Sequence, residues 1–153
     1  MPACIKIIEK VKEYRLASKR DATVKAAAYP SKFGLEVIPE SNFIVIPVVS
    51  SEKRRYIPIG FMNSDNLCSN QINLIPDASI YHFGILTSSI HMAWIRIVCG
   101  RLEMRYRYSK DIVYNNFPWC DPTDEQKQKI EQTAKAILDA RAKYPESSLA
   151  DMY

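Results

Sequence analysis

The sequence is poor in glycine and contains no glycine-rich loop. Its 153 residues include 4 glycines, and none is arranged as a G-x-G-x-x-G or P-loop pattern that cradles phosphates. The G-x-S-x-G elbow of α/β-hydrolases is missing as well. No apolar run approaches the ~20 residues of a membrane helix, and residues 1–10 lack the apolar stretch of a signal peptide. We therefore expect a cytoplasmic protein with no membrane partner and no small-molecule substrate.

Closely spaced metal ligands are also missing. The four cysteines are Cys4, Cys68, Cys99 and Cys120. They form no C-x-x-C pair, whereas a tetrahedral zinc site needs closely paired ligands. A chain of this length can bury a core without disulfides. We expect four ordinary thiols and no metal site.

The two histidines, His82 and His91, fall in one predicted helix. An offset of nine residues is two and a half helical turns, so their side chains point to opposite faces. This spacing favours two structural histidines over a catalytic pair. We predict no catalytic residue in the chain, and a small His-dependent hydrolase remains the less favoured alternative.

The positive charge is unevenly distributed. The net charge is +4, but residues 1–33 contain eight Lys or Arg against three Asp or Glu, and residues 84–118 contain five against two. The remaining segments are net negative. A local basic excess is what binding to phosphates needs, although modestly basic surfaces are often only solvated.

Apolar periodicity predicts a mixture of helices and strands. Residues 1–28 and 80–98 have helical spacing, and a last helix begins at Thr123 with Gln126 in a capping-box pattern. The predicted strands span residues 43–48, 55–61, 72–75 and 102–108, and Pro47 confines the first to an edge or a bulge. The predicted fold is α+β, with a small antiparallel-type sheet around a buried central helix, flanked by N-terminal and C-terminal helices.

The strand predicted at 102–108 alternates apolar and charged residues. Glu103, Arg105 and Arg107 share one face, and the two arginines are about 7 Å apart along an extended chain. Arginine can bind guanine O6 and N7 with two hydrogen bonds, and a glutamate can accept from the cytosine amino group. The pattern is typical of base reading in DNA. It is also typical of solvated ion pairs on an exposed sheet face.

A second polar cluster, Ser50–Tyr56, lies in a predicted turn. Its hydroxyls, its three consecutive cations and its aromatic residue suit contacts with phosphates. An ordinary soluble hairpin turn has the same composition. From the residues alone, a nucleic-acid-binding module that acts by itself is one of the possible functions.

Longer motifs resemble a known family. They are Ser50–Phe61, Tyr81–Ser89, Val98–Leu102, Tyr106–Ser109, Val113–Trp119 and Pro145–Asp151. Together they are similar to the MmeI-like (type IIG/IIL) single-chain restriction–modification enzymes across essentially the whole chain. Members of that family join an endonuclease, an adenine-N6 methyltransferase, a target-recognition domain and a C-terminal helical region.

The resemblance implies a domain layout and roles for particular residues. Residues 1–33 would lead from an upstream methyltransferase domain, 34–119 would form the target-recognition domain, and 120–153 the C-terminal helices. It implies double-stranded DNA as the partner, with S-adenosylmethionine and Mg²⁺ bound only in upstream domains and no cofactor here. Glu103 with Arg105 resembles a reader of one C·G pair, and Arg107 with Gln71 resembles the reader of a second position. The expected phosphate contacts are Ser51, Lys53, Arg54, Arg55, Ser109 and Lys110.

Overall fold

A computed structural model describes residues 2–33 and 38–153. The chain forms two compact units, Met1–Val37 and Ile38–Tyr153. The described residues form helices and small antiparallel sheets joined by irregular segments, which confirms the predicted α+β class. The domain boundary predicted at residue 34 falls outside the described residues. None of the described helices is both long enough and apolar enough to span a bilayer.

The first unit is helical. It consists of α1 (Pro2–Leu16), α2 (Asp21–Lys25) and a 3₁₀ turn (Ala26–Ala28). The prediction of one helix through residue 28 is therefore wrong. After Leu16 the chain leaves the helix, and the Ser18 hydroxyl accepts a hydrogen bond from the backbone N–H of Arg20 at 3.2 Å. Serine side chains compete with helical hydrogen bonding in this way.

Arg15 ties α1 to the chain that follows it. Its guanidinium donates to the carbonyls of Ala26 and Tyr29, both at 2.9 Å, and to that of Lys32 at 2.7 Å. Five N–H donors in a fixed planar group allow one arginine to bind three carbonyls. This contact fixes the return of the chain against α1.

The second unit contains two three-stranded antiparallel sheets. Their strands are β1 (Phe43–Pro47), β2 (Val49–Ser50), β3 (Gly60–Met62), β4 (Ile72–Pro76), β5 (Gly100–Leu102) and β6 (Arg105–Arg107). The strand orders are β3-β1-β4 and β2-β6-β5. The structure confirms the strands predicted near 43–48 and 72–75.

Two strand predictions need correction. Strand β1 is central in its sheet, not at an edge. Pro47 is tolerated there because it is the last residue of β1 and pairs with Ile72 of β4, whereas the pairing with β3 ends at Val45. The strand predicted over 55–61 is limited to Gly60–Met62. Pro58 has no N–H to donate to a ladder. The neighbouring isoleucines, Ile57 and Ile59, are buried by side-chain packing instead.

The single helix predicted over 80–98 is two helices, α3 (Ile80–Leu86) and α4 (Ser89–Val98). At the break, the Thr87 hydroxyl donates to the Phe83 carbonyl at 2.7 Å. The Ser88 hydroxyl accepts from the backbone N–H of His91 at 3.2 Å and caps α4. Hydroxyl side chains end one helix and start the next.

The last helix, α5 (Asp124–Arg141), begins as predicted, with Thr123 and Gln126 forming a reciprocal capping box. It packs on α3 at close range. A Cβ added to Gly84 would lie 2.8 Å from Ile130 Cγ2 and 3.1 Å from Ala134 Cβ. Ala134 is buried within the main core. Helix α5 therefore belongs to the same hydrophobic core as the sheets.

Candidate nucleic-acid interface

The segment predicted as one strand over 102–108 is a hairpin. Strands β5 and β6 are joined by the two residues Glu103 and Met104, with Leu102 opposite Arg105. Glu103 has a φ of 58°, and a positive φ at the first central residue is the pattern of a type II′ turn. Because neither turn residue is Gly or Asn, the sequence carried no hairpin signal.

Glu103 in the turn and Arg105 at the start of β6 form an ion pair. Arg105 Nη2 lies 2.8 Å from Glu103 Oε2, and the two side chains are 46% and 77% exposed. They are therefore neighbours, as predicted, but through the turn and not along one strand. Charged groups this exposed remain available to a ligand.

Arg105 and Arg107 lie on one face of β6, and the residues that alternate with them are buried. Tyr106 and Tyr108 are 6% and 2% exposed, so both face the core, as their alternation with the arginines indicates. The Tyr108 hydroxyl lies 3.0 Å from Nε2 of His91, within hydrogen-bond distance. The two arginines thus project from a strand with a firmly packed reverse side.

Gln71 lies near the other end of β6. It stands one residue before β4, and its carbonyl accepts from the backbone N–H of Val48 at 2.8 Å. The carbonyl of Val48 accepts in turn from the N–H of Tyr108 at 2.7 Å. Arg107 pairs with the next residue, Val49. The segment Val48–Val49 therefore lies between Gln71 and Arg107, and its backbone links the parts of the chain that carry these two predicted partners.

The Ser51–Arg55 turn begins where β2 ends. Because β2 is antiparallel to β6, with Ser50 opposite Tyr106, the chain leaves β2 towards the tip of the hairpin. The Ser51 hydroxyl accepts from the backbone N–H of Lys53 at 3.2 Å, so this side chain shapes the turn. The Lys53 side chain is exposed. The turn and the hairpin tip therefore lie at the same end of this sheet.

The two arginines of the turn are placed differently. Arg54 is half-buried and donates to the carbonyl of Ala150 in the C-terminal segment at 3.5 Å. Arg55 is exposed and lies over the ring of Tyr56, with 5.6 Å from Cζ to the ring centroid. Its carbonyl accepts from Arg96 at 3.4 Å. Of these two cations, Arg55 is the one free to meet a phosphate.

Ser109 and Lys110 follow β6 after one intervening residue, Tyr108. The Ser109 hydroxyl accepts from the backbone N–H of Ile112 at 3.4 Å and caps a π-helix over Lys110–Tyr114. The Lys110 side chain is exposed. Short π-helical segments are frequent at functional sites, and Lys110 is the first residue of this one.

The histidines are structural in their geometry. His82 lies at the start of α3, where its Nδ1 accepts from the backbone N–H of Ser79 at 3.2 Å. His91 lies on a different helix, α4, and is fully buried. Burial lowers the pKa of His91 to about 4. The prediction that both share one helix is wrong, and the two rings hold different parts of the fold.

Two features of the described residues bear on cofactor binding. Gly60 and Gly84 are crowded by the side chains of Leu149 and Ile130, so neither opens onto a phosphate cradle. The part of the chain that the structure describes contains no group of three or more His, Cys, Asp or Glu side chains able to bind a metal ion.

One arginine of the hairpin, Arg101, was not among the residues that the sequence pattern singled out. It lies on β5, and its guanidinium donates to the carbonyls of Cys99 and Arg96 at the C-terminal end of α4, where a cationic side chain complements the helix dipole. It lies just outside the strand predicted at 102–108, and such contacts with a preceding helix have no local sequence signal.

Comparison with known proteins agrees with this layout. The family model of the MmeI target recognition domain matches residues 1–121, and that of the MmeI C-terminal domain matches 122–153. A Bacillus subtilis (strain 168) protein, DNA methyltransferase A, is 42% identical over 142 residues, covering 93% of this chain and 16% of its own length. A solved structure of the type IIL restriction–modification enzyme MmeI in complex with DNA superposes with a TM-score of 0.93 at 46% identity. It matches 100% of this chain and 20% of that chain. The chain spans a fifth or less of these relatives, and it belongs to the MmeI family, of which it comprises the target recognition and C-terminal domains.

Proposed function

We propose that this chain is the sequence-reading module of a larger restriction–modification enzyme and that it performs no catalysis itself. The observation that carries the proposal is the exposed Glu103–Arg105 pair at the tip of a hairpin in a target recognition domain. The solved relative was in complex with DNA, and we infer double-stranded DNA as the partner here.

The chemistry of the hairpin fits the edges of bases in the major groove. Arginine donates two hydrogen bonds to guanine O6 and N7, and glutamate accepts from the amino group of cytosine. Glu103 and Arg105 together would read one C·G pair. A carboxylate beside arginines would repel a phosphate, so an acidic residue at the tip favours base reading over backbone binding. Arg107 and Gln71 would read a second position.

The basic residues around the hairpin would contact the phosphates. Lys53, Arg55 and Lys110 have exposed side chains near the same sheet. Ser51, Arg54 and Ser109 make local hydrogen bonds. We infer that they contribute to phosphate binding by holding the segments that carry the exposed cations. Phosphate contacts hold the protein in register on the duplex while base contacts specify the sequence.

The first unit would join this module to an upstream methyltransferase domain of the same polypeptide. Helix α1 has no buried residue, and its apolar side chains are exposed. They include Ile5, Ile7, Tyr14 and Leu16. Exposed apolar side chains on a helix that buries none of its residues suit a contact with another domain. We infer that S-adenosylmethionine and Mg²⁺ bind in other domains, and that the module presents one adenine for flipping into the methyltransferase site.

The charge-reversed double variant E103K/R105D tests the base-reading role. Duplexes would be selected from a randomised pool with the wild-type and variant chains, and with the longer polypeptide where it is expressed. We expect the preferred base to change at one position, because donor and acceptor have been exchanged. A uniform fall in affinity for all sequences, with an unchanged preference, would show that these residues do not read bases.

A further inference from the structure

The β5–β6 hairpin needs support beyond its own hydrogen bonds. It has three residue pairs, and β5 has β6 as its single partner strand among the described residues. A short two-stranded ribbon is marginally stable in water by itself. The exposed tip with Glu103 and Arg105 therefore depends on what holds β5 to the rest of the unit.

Arg101 on β5 supplies such a contact. Its Nη1 donates to the carbonyl of Cys99 at 2.9 Å, and its Nη2 donates to the carbonyl of Arg96 at 3.2 Å. Both carbonyls lie at the C-terminal end of α4, where backbone acceptors lack helical partners and the helix dipole favours a cation. The guanidinium thus joins the hairpin to the end of the helix.

The same guanidinium lies over the ring of Tyr106, with 4.2 Å between Cζ and the ring centroid. Tyr106 is the cross-strand partner of Arg101, and it is buried between the two exposed arginines of β6. Arg101 therefore packs against Tyr106, the buried residue whose position determines how far Arg105 and Arg107 project from the sheet. Its planar group satisfies two carbonyls and a ring face at once, which a lysine ammonium cannot do.

We propose that Arg101 is a positioning residue for sequence discrimination. It fixes the hairpin against α4 so that the reading side chains meet the base edges in one geometry. The inference rests on the proposed function. Recognition groups must be held within about 0.5 Å of their productive position to be selective, so loosening this contact should cost selectivity before it costs charge-driven affinity.

The test compares Arg101→Lys with a matched control, Arg96→Lys. Both variants keep the charge at the end of α4, but the Arg96 side chain contacts the Ser51–Arg55 turn and not the hairpin. Binding would be measured on duplexes that the wild-type chain selects from a randomised pool and on scrambled duplexes, over a range of salt concentrations. Hydrogen exchange would report on the amides of β5 and β6.

We expect Arg101→Lys to lower the ratio of selected to scrambled affinity by about tenfold, the value of one good base contact. The salt dependence should stay the same, because the charge is kept. Exchange should become faster in β5 and β6 but not in β1 and β4. Arg96→Lys should change none of these. If Arg101→Lys fails to fold, Arg101→Gln, which can still donate to one carbonyl, gives the same comparison.

Three outcomes would overturn the proposal. If Arg101→Lys discriminates as the wild type does, Arg101 does not position the readers. If Arg101→Lys is normal while Arg101→Gln loses affinity uniformly and the salt slope falls by about 1, Arg101 contacts a phosphate directly. If the wild-type chain selects no sequence from the pool, the proposed function fails and this inference fails with it. The first two leave the proposed function intact.

Discussion

His91 Nε2 and the Tyr108 hydroxyl lie 3.0 Å apart inside the core, directly behind the strand that carries Arg105 and Arg107. The other ring nitrogen of His91 has no hydrogen-bond partner among the described residues. The His91 ring also packs edge-on against Phe117, with 4.7 Å between centroids. A neutral imidazole is thus part of the packing that supports the candidate site.

This burial predicts a pH-dependent stability. Burial lowers the pKa of His91 from 6.5 to about 4, so between these values the unfolded chain binds a proton that the folded chain excludes. The free energy of unfolding should therefore have its full value above pH 6.5. It should fall by roughly 3 kcal/mol as the pH drops towards 4. Urea unfolding between pH 4 and 8 measures it.

The matched variants for this measurement are His91→Gln and His82→Gln. Removing His91 should abolish the steep part of the profile and also lower stability at neutral pH. Replacing His82, which caps α3 at the surface, should leave the slope in place. An identical profile in the wild type and His91→Gln would mean that other groups control the acid sensitivity.

The Glu103–Arg105 pair should matter for recognition far more than for stability. Both side chains are well exposed, and pairs of this kind contribute about 0–1 kcal/mol to folding. We expect Glu103→Ala and Arg105→Ala to unfold at nearly the wild-type urea concentration. Each should lose about 1–3 kcal/mol of discrimination at one base pair. Parallel unfolding and binding titrations test this, with the exposed carboxylate Glu146 replaced by Ala as the control. A large loss of stability would show that the pair is structural.

The cations around the hairpin should differ in how much each contributes to the salt dependence of DNA binding, according to the contacts that each makes. Lys53→Gln, Arg55→Gln and Lys110→Gln should each reduce the slope of log affinity against log salt by about 1, because each removes one phosphate contact. Arg54→Gln should reduce it less, since Arg54 is turned towards the carbonyl of Ala150. Equal slopes for all four variants would contradict this division.

Two glycines offer a contrast in packing. At Gly84 a methyl group would lie 2.8 Å from Ile130 Cγ2 and 3.3 Å from the Ile130 carbonyl, on a rigid helix. At Gly60 it would meet the end of the Leu149 side chain, which can move. Gly84→Ala should therefore cost about 1–3 kcal/mol of stability, and Gly60→Ala clearly less. Chemical unfolding compares them, and a reversed order would contradict the close packing of α3 on α5.

The sequence was a good guide wherever one local signal decided the structure. The Thr123–Gln126 capping box marked the start of α5, and the apolar run marked β1. It failed at the hairpin, because a two-residue turn without Gly or Asn leaves a period-2 pattern unbroken. Leu102 and Met104 belong to the apolar half of that pattern, yet they are 41% and 71% exposed. It failed similarly at Thr87, where side-chain hydrogen bonds interrupt a helical pattern. Contacts across the chain, such as that of Val48 with Gln71, have no local signature.

The packing of α5 bears on which parts of this chain can be exchanged with those of a homologue. Arg141 donates to the carbonyl of Ile59 at 2.8 Å and lies between the rings of Phe83 and Tyr153. A chimera that joined two homologues near residue 121 would therefore place α5 of one protein against the core of the other. The mismatched contacts would be those of Gly84 with α5 and of Arg141 with Ile59 and Phe83. Exchanges that carry residues 38–153 together would keep those surfaces matched. Residues 38–153 therefore behave as one packing unit that includes its last helix, and not as a hairpin-bearing part with a separable tail.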